Sequence, residues 1–356
     1  MEFHNVALVV YPMRPRVCNR DVTAGKAGDY SGDAFVNFAS MSWQQAAPIQ
    51  CYRAGLAVVL ALGLGALHPS LARADSGACR ALEQRYDQIK TAASSIERNT
   101  LVFSAAPQDC VGLAQVLLKD GASLEARDRF GNMPLAIAAR EGKLGLVNLF
   151  IDNKANVDAR NLEGSTALFL AAENERVAAA KILLDHGADA NLTGRSAIAP
   201  LGAAAYTGNS DLVAALLAKG AEPRAVDATG KSAILYAAGR AYTHVVKQLL
   251  DAGIDANACY GSDLTALMWA AGHSEEAGAA DIVETIALLI ARGAKLDEKD
   301  DRGWTALMIA ADLGHAVAVE KLVAAGADKT ITDKAGKTAQ ELAHDDATRT
   351  LLVSKL

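Results

Sequence analysis

The sequence predicts an all-α fold in which short helix-turn-helix units stack into a solenoid, and two spacings support this prediction. An Ala-Ala pair recurs at a constant spacing from 105–106 to 270–271, and one more pair follows at 310–311. A Gly-Ala pair follows four of these pairs at a second constant distance. The period of the Ala-Ala pairs, about 33 residues, indicates stacked repeats, because one such unit cannot bury its own apolar face. The Ala-Ala pairs lie at 105–106, 138–139, 171–172, 204–205, 237–238 and 270–271, and the Gly-Ala pairs lie at 121–122, 187–188, 220–221 and 326–327.

Residues 128–160 show how one unit is built. Asp-x-x-Gly at its start predicts a tight turn in which Gly131 takes a positive φ. Pro134 suits the first position of a short helix, where its missing N–H costs nothing. A second helix is predicted around 146–151, and in most copies a glycine ends this helix in a left-handed conformation. Lys154 replaces that glycine here, so we expect a weaker helix stop at this point.

These residues resemble the ankyrin repeat, whose units read Asp-x-x-Gly-x-Thr-Pro-Leu-His-x-Ala-Ala, then Val-x-x-Leu-Leu, then Gly-Ala-Asp-x-Asn. The best-matching copies read Glu-Gly-Ser-Thr-Ala-Leu-Phe-Leu-Ala-Ala at 163–172 and Arg-Gly-Trp-Thr-Ala-Leu-Met-Ile-Ala-Ala at 302–311. Seven copies are recognisable at 99–332, and a partial eighth at 333–356 ends the array as a cap. The resemblance implies an ankyrin-repeat solenoid of stacked helix-turn-helix units with β-turn or hairpin tips.

The chain departs from the family pattern at the histidine of Thr-Pro-Leu-His, which no copy contains. This departure puts some of the family's inter-repeat hydrogen bonds in question. The proline is also replaced by alanine in several copies. The residues that stand at the histidine position include Ala136, Phe169, Leu235, Met268 and Met308.

The charge balance argues against nucleic acid as a partner. The chain has 35 Lys and Arg residues against 41 Asp and Glu residues, which gives a net charge of −6. Nucleic-acid binding depends on the neutralisation of phosphates by basic side chains, and no domain-wide basic excess is present. The low aromatic content of 5% suits an all-helical stack with thin, close-packed layers.

An unbroken apolar run at 54–67 indicates a secretory signal peptide. Arg53 precedes this run and Ala-Arg-Ala follows it at 72–74, so the positive flank, the apolar core and the small-residue exit are all present. A transmembrane helix needs about 20 apolar residues, which is more than this run supplies. We therefore expect a signal peptide at 41–74 that is cleaved after Ala74 and leaves no membrane segment. An uncleaved anchor is the alternative.

Residues 1–40 precede the signal peptide and are interpreted as a non-native extension of the chain. A signal peptide begins with a short positive region, whereas about 50 residues precede this apolar run. Met41 offers a second start with a segment of the usual length. A disordered leader with a role of its own is the alternative.

Residues 75–98 are predicted to form a capping helix before the first repeat. Three apolar residues share one face of this helix, which suits a cap that shields the apolar side of the first repeat. Cys79 in this segment and Cys110 in the first repeat are candidates for a disulfide, because an oxidising compartment allows one. The wide spacing between stacked positions argues against this bridge, so both outcomes stay open.

The resemblance also implies where a partner binds. Ankyrin repeats grip partners with residues beside the turn glycine and just after the Ala-Ala pair. Phe130 and Trp304 are the most suggestive, because aromatic residues and arginine dominate interface energies. Packing of these two rings against a neighbouring turn is the alternative. Carried over by position, the tips contribute Arg129, Phe130, Leu162, Glu163, Arg302 and Trp304, and the positions after Ala-Ala contribute Arg140, Tyr206, Arg240 and His273.

The sixth repeat carries seven extra residues, which are expected between its paired helices at about 273–280. His273, Glu275 and Glu276 in this insertion have side chains that can chelate a cation, and a solvated loop is the alternative. The sequence contains no His pair at the i, i+4 spacing of a zinc site and no nucleophile-elbow motif. We therefore expect no cofactor, no metal and no catalytic activity.

These features together predict an exported, bacterial ankyrin-repeat protein that works in the periplasm. It is expected to act as a monomer and to bind another protein through its concave face, which comprises the tips and the exposed side of the first helices. A secreted effector that binds a host protein is the main alternative. A metal-dependent sensor or an enzyme is a third interpretation.

Cleavage after Ala74 predicts that the exported protein begins with Asp75. The chain expressed from Met1 in a bacterium should yield a periplasmic product whose N-terminal sequence reads Asp-Ser-Gly-Ala. Replacing Ala72 and Ala74 by leucine should leave the larger precursor uncleaved, because signal peptidase needs small residues at the exit. A periplasmic product with another N-terminus contradicts the assignment, and product in the medium favours the effector.

Overall fold

The computed structural model of the protein describes residues 16–17, 77–272 and 277–353. Apart from two residues, the expected leader at 1–40 lies outside this description, as does the whole signal peptide at 41–74. Both assignments stay predictions. The described part is a succession of short helices arranged in pairs, which confirms the predicted all-α fold of stacked helix-turn-helix units.

The helices begin with a capping helix, continue as seven pairs and end in an eighth pair. Each pair is one repeat, with a first and a second helix. The capping helix is α1 (Gly77–Ile89), and the repeats are α2 (Ser95–Ala105) with α3 (Val111–Lys119), α4 (Pro134–Arg140) with α5 (Leu144–Asp152), α6 (Ala167–Glu173) with α7 (Val177–Asp185), α8 (Pro200–Thr207) with α9 (Ser210–Ala218), α10 (Ala233–Gly239) with α11 (Thr243–Asp251), α12 (Ala266–Ala271) with α13 (Ala279–Ala291), α14 (Ala306–Asp312) with α15 (Ala316–Ala324), and α16 (Ala339–Leu342) with α17 (Asp346–Val353). Short 3-10 helices lie at Ala106–Gln108, Arg195–Ala197 and Gly261–Asp263.

Extended backbone is confined to short segments in the described part of the chain. The strand β1 (Arg16–Val17) pairs antiparallel with β2 (Ala258–Cys259), with Arg16 opposite Cys259. Isolated β-bridges close three repeat tips, which gives those tips a hairpin character. These bridges join Val226 to Ser232, Tyr260 to Leu264 and Thr332 to Thr338.

The Ala-Ala pairs form the centre of the stack. In the seven pairs, every alanine is at most 1% exposed. Each first helix from α4 to α14 packs against the first helices of its neighbours, and its own second helix packs beside it. Alanine keeps these layers thin, because its side chain lets two helix backbones approach closely. The second helices then supply the large side chains, such as Leu146, Phe150 and Leu183, that fill the core.

The predicted Asp-x-x-Gly turn closes on its own carboxylate. In repeat 2, Asp128 Oδ1 accepts hydrogen bonds from the backbone N–H groups of Phe130 and Asn132, both at 2.8 Å. Gly131 then takes the expected positive φ of 75°. The same pair of bonds forms at Asn161, Asp227, Asp300 and Asp333.

Repeats 4 and 6 lack this turn, because Gly194 and Tyr260 stand where the other repeats have Asp or Asn. Their tips instead form 3-10 helices that each contain two consecutive non-glycine residues with positive φ. In repeat 4 these residues are Ser196 (φ 54°) and Ala197 (φ 58°). The tips therefore do not form one uniform row.

Asparagine side chains carry hydrogen bonds between neighbouring repeats. Asn191 donates to the carbonyl of Gly220 at 3.0 Å and accepts from the N–H of Glu222 at 2.7 Å. Asn257 makes the same two bonds further along the stack, to Gly293 and Lys295. The stack therefore has lateral hydrogen bonds that do not need the histidine missing from the first helices.

The N-terminal cap differs from the prediction in one boundary. The helix α2 begins at Ser95, so the first repeat begins before residue 99. Its start is a capping box: the Ser94 hydroxyl accepts from the backbone N–H of Glu97, and the Glu97 carboxylate accepts from that of Ser94. The preceding helix α1 buries Tyr86, whose hydroxyl donates to Asp120 at 2.6 Å. Cys79 and Cys110 form a disulfide that joins α1 to the N-terminus of α3.

The insertion in repeat 6 is only partly a loop. The second helix α13 has 13 residues, whereas the other second helices from α3 to α15 have nine. We expected all the extra residues between the paired helices; instead, one additional helical turn takes up four of them. His273, Glu275 and Glu276 lie outside the described residues.

Lys154 ends the helix of repeat 2 in the conformation that favours glycine. Its φ is 66°, at the position where Gly121, Gly187 and Gly220 take values between 83° and 91°. The helix still ends at Asp152, so the stop itself is intact. A side chain in this left-handed region costs free energy relative to glycine, because its Cβ crowds the backbone carbonyl.

Leu216 on α9 and Leu249 on α11 are both fully buried, so each tests the core of the stack. Leu→Ala at either position should lower the free energy of unfolding by about 2–5 kcal/mol through the cavity that it leaves. Ile96→Ala is the control, because Ile96 is 75% exposed. Urea denaturation followed by circular dichroism measures all three, and a loss below about 0.5 kcal/mol at Leu216 would contradict its place in the core.

Candidate functional site

Two positions of each first helix lie on the side that, together with the tips, we call the concave face. One is the fourth residue of the helix and the other is the residue after Ala-Ala. These positions vary in size from glycine to tryptophan, and among the fourth residues only Tyr236 and Trp269 are half-buried whereas the others are buried. The fourth residues are Ile137, Leu170, Ala203, Tyr236, Trp269 and Ile309, and the residues after Ala-Ala are Arg140, Glu173, Tyr206, Gly239, Gly272 and Asp312.

Aromatic side chains occupy the middle of the concave face, in repeats 4 to 6. The rings of Tyr206 and Tyr236 meet edge to face, with their centroids 5.9 Å apart and an angle of 88° between them. Trp269 is half-buried beside Gly239, where a Cβ would lie only 2.9 Å from its ring. The small residue at 239 therefore gives the indole ring its place. We call Tyr206, Tyr236 and Trp269 the aromatic centre.

Basic side chains stack on these rings. The guanidinium of Arg240 lies 4.8 Å from the ring centroid of Tyr206 and 5.7 Å from that of Tyr242. The ammonium of Lys231 lies 5.5 Å from the centroid of the Trp269 ring. Each distance is within the range in which a cation is attracted to an aromatic face. These contacts hold the rings in fixed orientations.

Tyr236 is tied to the repeat tip as well as to its neighbouring ring. Its hydroxyl donates a short hydrogen bond to the carboxylate of Asp227, the residue that closes the tip turn of repeat 5. Burial raises the pKa of Tyr236, and the bond to Asp227 raises it further. The phenol therefore stays protonated and keeps its role as a donor to the tip.

A cavity of about 280 Å³ lies beside the aromatic centre, over the first helix of repeat 4. We call it the repeat-4 pocket. Its floor is formed by the small residues of α8, and its walls come from α6 and α10. The residues that line it are Phe169, Ile198, Gly202, Ala203, Tyr206 and Tyr236, together with Glu173, Glu175 and Thr207 at one end.

Two of the predicted binding residues meet in this region and a third pairs locally. Tyr206 and Arg240 come from different repeats and are in contact through the stack described above. Arg140 lies two repeats before Tyr206 on the same face and forms an ion pair with Glu141 at 3.0 Å. His273 lies outside the described residues.

The tips of repeats 2 and 3 form a second, separate group of predicted residues. Phe130 is 52% exposed and Leu162 is 78% exposed. The guanidinium of Arg129 lies 4.6 Å from the centroid of the Phe130 ring, and the N–H of Leu162 donates to the carbonyl of Phe130 at 3.1 Å. Glu163 is exposed next to them. This group is accessible, and its role in partner binding stays a prediction.

Trp304 and Arg302 do not fit the description of accessible contact residues. The indole N–H of Trp304 donates to Asp333 of the next tip at 3.0 Å, and the ring is half-buried. Arg302 stacks on that ring at 3.9 Å and binds the buried carboxylate of Asp300 through Nε and Nη2 at 2.9 and 2.7 Å. The alternative weighed from the sequence, packing against a neighbouring turn, describes Trp304 better.

Several residues of the site were missed by the sequence analysis. Tyr236 and Trp269 stand at a position that the ankyrin pattern leaves unspecified, so the motif gave no reason to select them. The available signal was that these two aromatic residues lie one full repeat apart in the sequence. Glu173 directly follows an Ala-Ala pair, as Arg140 and Tyr206 do, and was passed over because interface energies favour other residue types.

The described residues contain no group of three or more His, Cys, Asp or Glu side chains that could hold a metal ion. In the same part of the chain, every helix is too short or too polar to cross a membrane.

Comparisons with known proteins agree with this architecture. The family model described as "Ankyrin repeats (3 copies)" matches residues 77–194, 201–286 and 277–354. The crystal structure of the human ASB11 ankyrin repeat domain is similar, with a TM-score of 0.57 and 25% sequence identity. The similarity covers 62% of this chain and 97% of that domain. The search of curated proteins found no match.

The contacts of Trp304 predict that it stabilises the stack. Trp304→Ala should lower the free energy of unfolding by about 1–3 kcal/mol, because it removes the hydrogen bond to the next tip and also the packing contacts of a half-buried ring. Phe130→Ala removes an aromatic ring from an exposed tip and should cost less than about 0.5 kcal/mol. Chemical denaturation compares the two variants. Equal, negligible losses would show that Trp304 has only a surface role.

Proposed function

Since the chain belongs to the ankyrin-repeat family, we propose that it is an exported scaffold that binds another protein through its concave face. Ankyrin repeats are in general protein-interaction scaffolds. The proposal assigns the chain no catalytic activity, no cofactor and no metal. It acts as a monomer, and its role is reversible recognition.

The aromatic centre is the observation that carries this proposal. Tyr206, Tyr236 and Trp269 lie on the first helices of three successive repeats, and Arg240 stacks on the Tyr206 ring. Tyrosine, tryptophan and arginine are the residue types that most often supply binding energy at interfaces, and they do so near the centre of the contact. Because these rings are already held by stacking, binding orders few additional side chains and costs little entropy.

Export is proposed from the N-terminal sequence. The apolar run at 54–67 with its basic flank and Ala-Arg-Ala exit has the composition of a signal peptide. The Cys79–Cys110 disulfide supports the same proposal, because disulfides persist in oxidising compartments such as the bacterial periplasm. The periplasm is the proposed location, and a partner protein there is the proposed ligand.

The concave face predicts which variants lose the partner. Tyr206→Ala and Arg240→Ala should each weaken binding by more than about tenfold, the size of a loss at an interface hot spot. Arg292→Ala is the matched control, because Arg292 ends the second helix of repeat 6 and pairs with Asp251 instead of facing the aromatic centre. Circular dichroism checks that each variant keeps its helices.

The measurement uses the tagged mature chain to capture a partner from a periplasmic extract, followed by titration of that purified partner by calorimetry. The tip residues Phe130 and Leu162 provide a second pair of variants on the same preparation. If the aromatic-centre variants bind at wild-type affinity and the tip variants do not, recognition occurs at the tips. If all of them bind as wild type, the concave-face assignment is wrong.

A further inference from the structure

The repeat-4 pocket has a floor that no other repeat reproduces. The fourth residue of the first helix is Ala203 in repeat 4, whereas all the other complete repeats from 2 to 7 have Ile, Leu, Tyr or Trp there. The preceding position, which belongs to the family's histidine, is Gly202. A Cβ at Gly202 would lie 3.3 Å from the Ile198 side chain and 3.9 Å from the Tyr236 ring. Two small residues in succession therefore open the cavity.

A second glycine holds one wall of the pocket in place. Phe169 on α6 packs onto Gly194 at the tip of repeat 4, where a Cβ would lie 2.3 Å from its ring. This contact requires glycine and keeps the ring fully buried at the edge of the cavity. The walls of the pocket, Phe169 on one side and the paired tyrosines on the other, are thus set by the fold. The space between them is preformed.

One end of the pocket is acidic. Glu173 ends α6 and Glu175 follows it, and both line the cavity. Arg195 pairs with Oε1 of Glu173 at 2.5 Å, while no residue of the described chain pairs with Glu175. Burial raises the pKa of Glu173, and the nearby carboxylate of Glu163 raises it as well, so an added positive charge would relieve an unfavourable environment. Of the two lining carboxylates, only that of Glu173 has a cationic partner.

We propose that the repeat-4 pocket takes a single lysine or arginine side chain from the partner protein. The apolar stem of that side chain lies along Ile198, Ala203 and Tyr206, and its charged head pairs with Glu175 and with the second oxygen of Glu173. This inference rests on the proposed function, since it names the residue type through which the partner is recognised.

The chemistry of the pocket favours a basic side chain over the other occupants. Lysine and arginine bury a flexible apolar stem while their charged end stays near polar groups, which matches an apolar cavity with carboxylates at one end. An acidic side chain would meet Glu173 and Glu175 directly. A purely aliphatic side chain would fill the apolar part but make no ion pair with the exposed carboxylate of Glu175.

The test uses two small probes with the same four-carbon side chain, of which only one carries a terminal ammonium group: the N-acetyl, N-methylamide derivatives of lysine and of norleucine. Both are titrated into the mature chain with labelled isoleucine methyl groups and followed by nuclear magnetic resonance. The lysine derivative should shift the Ile198 methyl signal saturably. The norleucine derivative should bind about fivefold more weakly, the equivalent of roughly 1 kcal/mol for one partly exposed ion pair.

Three variants identify the source of the binding. Glu175→Gln should reduce the affinity for the lysine probe to that of norleucine, whereas Glu320→Gln, on the exposed side of α15, should change nothing. Ala203→Ile fills the pocket with the residue that repeats 2 and 7 carry at the same position, so it should fold normally and abolish both titrations.

The proposal is overturned if norleucine binds as tightly as lysine, if Glu175→Gln has no effect, or if the Ile198 signal does not move. These titrations need no partner protein, so their failure leaves the concave-face proposal intact. Conversely, loss of partner binding in the aromatic-centre variants with no loss in Ala203→Ile would place the partner on the concave face but outside this pocket.

Discussion

The close approach of successive first helices is the constraint on which the rest of the structure depends. Because every Ala-Ala pair is buried to within 1% exposure, neighbouring repeats are separated by little more than a methyl group at their centre. That spacing brings each tip within hydrogen-bond reach of the next and lets Asn191 and Asn257 bridge adjacent repeats. It also brings side chains from different repeats together on the concave face. A larger residue in the pair would push apart the layers that carry all these contacts.

The aromatic centre and the repeat-4 pocket depend on the same spacing in opposite ways. Where the concave positions carry large side chains, as with Tyr206 and Tyr236, neighbouring repeats fill the surface and their rings pack edge to face. Where repeat 4 carries Gly202 and Ala203, the same spacing leaves a gap that its neighbours do not close. The concave face is therefore closed by large side chains in some repeats and open in repeat 4, because the side chains differ in size while the backbone of each repeat is nearly the same.

The fold was predictable from the sequence because the constant period of the Ala-Ala pairs reflects the packing of identical units, which few other arrangements explain. The site was less predictable, because its members share no motif. Tyr206 and Arg240 were found through their place after Ala-Ala, whereas Tyr236 occupies an unspecified position. Trp304 shows why the alternative of tip packing could not be decided from the sequence: a tip faces water when a repeat is considered alone, but in the stack this tip packs against the one that follows it.

The two ends of the array are held differently, and this gives the stack a direction. At the N-terminal end a covalent bond between Cys79 and Cys110 fastens the cap to the first repeat. Within the described residues, the last complete repeat is covered at its C-terminal side by α16, a single turn, and by α17. In a stack stabilised by nearest neighbours, opening begins at the end with the weaker closure. The molecule should therefore fray from its C-terminus inward, so that the repeats around the pocket, several layers from that end, open late.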